Sequence, residues 1–293
     1  MPAAGLQQLQ ATLRRKLHLR MPSGHVLFEW LLHDPSRMTR SRTFSARHRG
    51  SSPRAWPQVA SAGLPESDDT IEELTAAERE AVGASWSSRA ANELATAQTF
   101  GMLSTMLVPR GVDPEVTWLA ARAVADEVRH AEICRTVAAA YLAKPVEWPQ
   151  ARTLEAPRFG STSPELGTTL FIVLQCCMNE TIAGAYLRAC QNDARGPLVR
   201  AALRELLRDE IDHARLGWAH LASPHLSKTA RRHVAAAIPN LLQSCRSLWL
   251  DEKRTERPTP SGHGCVPNAA LPRIVDDAIE ELVLPGLRHV GVV

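Results

Sequence analysis

The feature that most constrains this chain is a six-residue motif that occurs twice. DEVRHA occupies positions 126–131, and DEIDHA occupies positions 209–214. A helix advances about 100° per residue, so a Glu and a His three positions apart lie on one face, one turn from each other. A single pair of this kind is common on exposed helices, where it makes a weak hydrogen bond. Two copies, each with Asp before the Glu and Ala after the His, favour one shared site built from two helices.

Two further glutamates stand at equivalent places ahead of these motifs. Glu93 lies in AANELATA, and Glu180 lies in CCMNETIAGA. The intervals 93–127 and 180–210 are similar in length, as in two helical hairpins related by a pseudo-twofold axis. Burial of Glu180 in its apolar segment would cost roughly several kcal/mol without a neighbouring cation. The repeat therefore predicts a metal site. Its carboxylates and imidazoles, without a thiolate, suit iron, with manganese as the alternative, better than structural zinc.

Alanine-rich and leucine-rich segments with helical periodicity carry both motifs. Cap residues and prolines mark where these segments begin and end. No strand pattern is visible, so the sequence predicts an all-α protein. The predicted helices span 75–108, 113–143, 163–195, 197–222, 227–254 with a kink at Pro239, and 273–284, and a surface loop is predicted at 257–272.

Composition bears on whether the chain spans a membrane, is secreted or forms disulfides. The hydrophobic share is 44%, and no uninterrupted apolar run reaches the roughly 20 residues of a membrane span. The first residues lack the apolar segment of a secretory signal, so we expect a cytoplasmic protein. The cysteines show no paired spacing of the disulfide or zinc type, which predicts reduced thiols in the core.

The first 60 residues are basic, with acids only at Glu29 and Asp34. Their arginines lie among Ser, Thr and His without aromatic interleaving, which favours a solvated or partner-docking arm over nucleic-acid binding. The predicted organisation is a partly ordered basic arm at 1–70, a di-metal helical bundle at 71–225, and a helical extension at 226–293 that contains a Pro/Gly-rich loop.

The ligand pattern resembles the ferritin-like di-iron carboxylate family, in which two helices each supply a Glu and two others each supply a Glu-x-x-His. The resemblance covers about residues 75–222 and implies a ferritin-like four-helix bundle with additional N- and C-terminal helices. It implies that Asp126 and Asp209 each orient the histidine of the opposite motif, as in bacterial di-iron monooxygenases with a similar DExRH segment. A salt bridge to Arg129 or Arg208 is the alternative role for these aspartates. The implied metal ligands, which are also the predicted catalytic residues, are Glu93, Glu127 and His130 on one ion and Glu180, Glu210 and His213 on the other, with one or two glutamates bridging.

Other positions separate members of this family. Bacterioferritins ligate haem through a methionine directly after the first ExxH glutamate, where this chain has Val128. Ribonucleotide reductase small subunits need a tyrosine near the metals, and this chain offers only Tyr141 and Tyr186. The ligand spacing is most similar to aryl-amine N-oxygenases. That family has an additional metal-binding histidine four positions before the last ExxH glutamate, where this chain has Leu206.

The resemblance implies an enzyme, an oxygen-activating di-iron oxidoreductase that acts on a small organic substrate with O2 as co-substrate. No flavin, nicotinamide or iron-sulfur motif is visible, so electrons are expected from an external donor or reductase, or from the substrate. The alternative function is a ferroxidase or iron-storage protein without an organic substrate. We expect a monomer or homodimer. The sequence does not specify the substrate or choose among hydroxylation, N-oxygenation and desaturation.

Small side chains flank the predicted ligand Glu180. Cys176, Cys177, Ala183 and Gly184 share its helical face. They either leave room for O2 and a substrate or permit close helix packing, and the sequence leaves both interpretations open.

Overall fold

The structure is a computed structural model that describes residues 63–150, 153–250 and 259–293. Most of the predicted basic arm therefore lies outside the described residues. Within the described part the protein is entirely helical and contains no strand, as the sequence predicts.

Eight α-helices and two π-helical segments make up most of this part of the chain. In a π-helix each N–H bonds to the carbonyl five residues earlier, which makes the turn wider. Short 3-10 helices lie at Asp69–Ile71, Val108–Arg110 and Asn268–Ala270. The longer elements are α1 (Ala76–Leu107), α2 (Pro114–Leu142), α3 (Pro164–Ile172), the first π segment (Val173–Asn179), α4 (Glu180–Asp193), α5 (Pro197–Ala222), α6 (Lys228–Trp249), α7 (Leu271–Ala278), the second π segment (Ile279–Val283) and α8 (Leu284–His289).

Side-chain caps fix where most long helices begin. Thr75 and Glu78 form a capping box at the start of α1, with each side chain bonded to the backbone of the other residue. Asp113, Ser163 and Ser227 cap α2, α3 and α6 in the same way, by accepting a hydrogen bond from a backbone N–H of the first turn. Such bonds satisfy donors that have no partner inside the helix. The predicted helix starts are confirmed.

The cap of α5 comes from a distant part of the chain. Gly196 precedes this helix and has no side chain to offer. The carboxylate of Asp68 instead accepts a hydrogen bond of 3.0 Å from the backbone N–H of Leu198. The buried Asp68 therefore ties the segment before α1 to the start of α5.

The long helices pack in pairs that bring both motifs together. Helix α1 packs along α2, α4 packs against α5, and α2 also contacts α5. Buried side chains from α1, α2 and α5 share one core, which includes Trp86, Ile133, Tyr141 and Leu203. The C-terminal helices cover the hairpin formed by α3, α4 and α5, because α6 packs on α3 and α7 packs on α4.

The predicted surface loop is wrong for residues 262–265, which are buried. The indole of Trp86 donates to the carbonyl of His263 at 3.0 Å, and the Tyr141 hydroxyl lies 2.7 Å from Nδ1 of the same histidine. Gly264 has a φ of +84°, and a Cβ there would collide with the Trp86 ring. The loop is held by aromatic side chains from α1 and α2, and its Pro/Gly-rich composition gives no sign of this.

The C-terminal helix is longer than predicted, because Leu271–His289 is helical throughout with the second π segment in its middle. Pro239 lies inside α6, which continues to Trp249. The kink at this proline stays a prediction.

One continuous helix in the described chain, Pro164–Asp193, is long and apolar enough to cross a membrane by length and composition. In this protein 67% of its most apolar window is buried, and the core helix of a soluble protein passes the same test. All six cysteines are buried and free, in agreement with the predicted core thiols.

Candidate metal centre

The structure brings the six predicted ligands into one cluster. Glu93 comes from α1, Glu127 and His130 from α2, Glu180 from the first position of α4, and Glu210 and His213 from α5. Five of them are buried, and the side chain of Glu93 is 12% exposed. Their donor atoms form two groups, each with all atoms within 4.8 Å of one another, namely Glu93, Glu127, His130 and Glu210, and Glu127, Glu180, Glu210 and His213.

Glu127 and Glu210 belong to both groups. One oxygen of Glu127 lies 3.0 Å from Nδ1 of His213, and the other lies 3.5 Å from Nδ1 of His130. Glu210 is placed in the same manner, with oxygens 3.6 Å and 3.2 Å from the two Nδ1 atoms. Each of these carboxylates therefore reaches both halves of the cluster, as a bridging ligand must.

Each histidine turns its second nitrogen toward the aspartate of the opposite motif. Nε2 of His130 lies 3.2 Å from Asp209, and Nε2 of His213 lies 3.8 Å from Asp126. The hydrogen bond of His130 agrees with the predicted orienting role of Asp209. Nε2 of His213 and the facing oxygen of Asp126 make no hydrogen bond, so the orienting role of Asp126 stays a prediction. Such carboxylates fix the ring so that its other nitrogen, here Nδ1, faces the cluster.

The aspartates also bind arginines. Asp209 contacts Arg122, Arg129 and Arg208, although it is only 1% exposed. Asp126 pairs with Arg122 at 3.1 Å. The alternative salt-bridge role thus coexists with the orienting role at Asp209. At Asp126 the partner is Arg122, which the sequence analysis did not consider.

The pKa values reflect a crowded group of buried charges. Burial raises the pKa of Glu93 and Glu180 well above the usual range, and repulsion from other glutamates adds to the effect. Burial acts in the same direction on Glu127, but His213 and His130 outweigh it and lower its pKa to about 2. Burial alone would depress the pKa of His130, whereas Asp209 and Glu127 raise it to about 10. The raised pKa values of Glu93, Glu180 and both histidines favour the protonated forms of these groups.

Several donor atoms in the cluster lack hydrogen bonds. Although histidine nitrogens lie nearby, neither oxygen of Glu127 is placed with the geometry of a hydrogen bond, and neither is Nδ1 of His130. Buried polar atoms are rarely left in this state, because each costs about 1 to 3 kcal/mol. Metal ions between these atoms would satisfy them and displace the protons. The donor set therefore fits one or more metal ions, and its oxygen and nitrogen atoms are those that iron and manganese accept.

The first π segment positions Glu180. The backbone N–H of Glu180 bonds to the carbonyl of Gln175, and the side-chain amide of Gln175 donates to the carboxylate of Glu180. The segment lies so close to α5 that a Cβ on Gly217 would meet Cys177. Sequence reasoning missed Gln175, since π-helical turns leave no clear mark in the hydrophobic pattern.

Three cysteines and a leucine lie around the cluster. The Sγ atom of Cys134 lies 4.0 Å from a carboxylate oxygen of Glu93. Leu206, at the position of the additional histidine of the N-oxygenases, is fully buried in the apolar core. Cys176 and Cys177 pack against Gly217, which favours helix packing over substrate space for these two residues.

A cavity of about 480 Å³ opens beside the cluster. Glu93, Glu127, Glu180 and Glu210 all line it, whereas the two histidines do not. The carboxylate side of the cluster therefore faces the cavity. Among the small residues near Glu180, Ala183 lines it as well.

Comparisons of the chain with known protein families, with curated proteins and with solved structures found no match. The case for a metal centre therefore rests on the geometry of the cluster.

Proposed function

We propose that this protein is a di-iron oxidoreductase that activates O2 to oxidise a small organic substrate. The observation that carries the proposal is the pair of overlapping ligand groups that share Glu127 and Glu210 beside a cavity. Two adjoining groups suit a bridged pair of ions, and the cavity volume lies within the range of about 300 to 1,000 Å³ that small-molecule sites occupy.

The proposal includes a ferritin-like four-helix bundle made of α1, α2, α3 to α4, and α5, with its boundaries near residues 71 and 225. The contacts of α1 with α2, of α4 with α5, and of α2 with α5 support it. In such a bundle each hairpin supplies one lone glutamate and one Glu-x-x-His pair. The C-terminal extension contributes to the site, since Trp249 and Leu271 line the cavity.

When bound, two ferrous ions would supply the electrons and the reactivity toward O2 that no side chain of this chain has. Glu127 and Glu210 would hold both ions, with Glu93 and Glu180 each holding one of them. Asp209 and Asp126 would keep Nδ1 of each histidine directed at the ions. Because only the carboxylate side is open, O2 and substrate would approach there.

Electrons would come from a separate reductase or from the substrate. We further propose a cytoplasmic monomer or homodimer without nucleic-acid partners. The competing function is iron oxidation and storage, in which the cavity between α1, α4 and the C-terminal helices would admit ferrous ions and no organic substrate.

Metal content tests the proposal first. Protein loaded with ferrous iron without oxygen should retain about two iron ions per chain by elemental analysis. Glu127→Gln or Glu210→Gln should lower this number sharply, because each removes a ligand of both ions. Glu80→Gln, on the exposed face of α1, is the matched control and should retain the full number. A persistent stoichiometry near one, or zinc that iron cannot displace, would contradict a di-iron centre.

Oxygen consumption distinguishes an oxidising enzyme from an iron-storage protein. The reduced protein should consume O2, and a suitable small molecule should accelerate this reaction and be oxidised. A hollow assembly of many subunits that accumulates far more iron, with no effect of any organic compound, would support storage instead.

A further inference from the structure

The cavity beside the cluster has two unlike walls. Arg89, Asn92 and Thr96 line one side, at the three- and four-residue spacing of one face of α1. Tyr186, Trp249 and Leu271 line another part of it. The α1 wall is thus polar and carries both the cationic Arg89 and the acidic Glu93, and the other residues named are largely apolar.

Arg89 is the unusual member of the polar wall. Its Nη2 donates to the carbonyl of Gly264 at 2.8 Å and lies 3.4 Å from the Tyr186 hydroxyl. The guanidinium lies over the ring of Trp86, 4.3 Å from the centroid. Its Nη1 atom is buried and has no hydrogen-bond partner. A buried cation normally has an anionic partner, because an unsatisfied charge in a protein interior is costly.

No acidic residue within the described ranges forms an ion pair with Arg89. Glu93, one helical turn further along α1, is directed to the cluster, where an oxygen lies 3.9 Å from Nδ1 of His130. The contacts of Arg89 with Trp86 and Tyr186 are those of a cation on aromatic rings, which do not neutralise its charge. Among the described residues, Arg89 thus lies in the cavity wall without a carboxylate in direct ion-pair contact.

We propose that this cavity binds an organic anion, a carboxylic acid with an apolar body, through Arg89. The carboxylate accepts hydrogen bonds from the guanidinium, and the apolar body lies against Tyr186 and Trp249. Arg89 and Glu93 are four positions apart on α1, which corresponds to about 6 Å along the helix axis. An acid anchored at Arg89 therefore extends a few bonds further to the carboxylate side of the cluster.

This inference rests on the proposed function, because it names the class of substrate that the proposed di-iron centre would oxidise. Arg89 would then set specificity. The four glutamates of the cluster repel an anion, so the acid group is held at the arginine and the uncharged end is presented to the metals.

The test compares an acid with its neutral amide. We would titrate 3-phenylpropanoate and 3-phenylpropanamide into the metal-free full-length protein at pH 7 and measure both affinities by calorimetry. The acid should bind at least about tenfold more tightly, as expected for charge-assisted hydrogen bonds. Arg89→Gln should remove this preference and leave the affinity for the amide nearly unchanged. Arg89→Lys should retain part of the preference.

Arg79→Gln is the matched control, because Arg79 lies on the same helix, pairs with the exposed Glu72 and does not line the cavity. It should change neither affinity. Equal affinities for acid and amide in the unaltered protein would overturn the proposal without any variant. A preference for the acid that persists in Arg89→Gln would also overturn the proposal.

The two proposals can fail separately. Acid binding is measured without metal, whereas iron content is measured without ligand, and Arg89→Gln should keep about two iron ions per chain. Arg89-dependent acid binding in a protein that never holds two metal ions would refute the di-iron function and support the anion site. Full iron loading without acid preference would refute only the anion site.

Discussion

Replacement of Gly217 by alanine tests whether the close contact between α5 and the first π segment supports the site. Gly217 follows His213 by about one turn. A Cβ at this position would lie 2.6 Å from Sγ of Cys177, 2.8 Å from Cβ of Cys176 and 2.9 Å from the backbone nitrogen of Cys177. Carbon atoms in good contact are about 3.5 to 4.0 Å apart. A backbone nitrogen cannot rotate away as a side chain can, so the π segment must move.

The expected loss of stability in Gly217→Ala is obtained by comparison with Gly101→Ala. Gly101 lies within α1 and has no atom within 4 Å of an added Cβ. Both substitutions gain the same helix propensity of about 1 kcal/mol, so their difference isolates the steric effect. Forcing extra atoms into a packed interior costs about 1 to 3 kcal/mol. Gly217→Ala should therefore unfold roughly 2 to 12 °C below Gly101→Ala.

Thermal unfolding monitored by circular dichroism measures this difference, and elemental analysis measures the effect on the site. Because Glu180 directly follows the π segment, Gly217→Ala should also bind less iron. Gly101→Ala should bind the full amount. Equal unfolding temperatures for the two variants, together with equal iron content, would refute the reasoning.

Three further predictions concern other parts of the molecule. Asp209→Asn should weaken metal binding by roughly 10- to 100-fold, because His130 loses the carboxylate that orients it; metal competition measures this, and the exposed Asp277→Asn is the control. Burial lowers the pKa of His220 to about 4, below the value of about 6.5 in the unfolded chain, so its contribution to stability is present above pH 6.5 and is lost as the pH falls to 4. Measured by denaturant unfolding, the unaltered protein should lose about 3 kcal/mol more stability over this interval than His220→Gln, and equal losses in the two proteins would contradict the assignment. A truncated chain that begins at Ser67 should fold and bind as much metal as the full chain, and a folded but metal-free product would show that the missing residues complete the site.

The sequence by itself determined what depends on local spacing. Thr75, Asp113 and Ser163 cap helices because their short polar side chains reach the first free N–H groups, and that chemistry involves neighbours only. The three-residue spacing of Glu127 and His130 puts both on one face of any helix. The resemblance of the motif to that of bacterial di-iron monooxygenases implied that each aspartate meets the opposite histidine, and Asp209 does so with a distance of 3.2 Å to Nε2 of His130. The metal ions themselves, their number and the reaction stay predictions.

Only the tertiary structure decided the contacts between residues far apart in the chain. The burial of 262–265 depends on Trp86 and Tyr141, which are more than one hundred positions away, and a Pro/Gly-rich composition predicts a surface loop equally well. Arg89 contacts Tyr186 and Gly264, which lie 97 and 175 positions further along the chain. The widened turn before Glu180 lies against Gly217, where an added Cβ would meet Cys177. Such features depend on which surfaces meet, and helical periodicity carries information about one helix at a time.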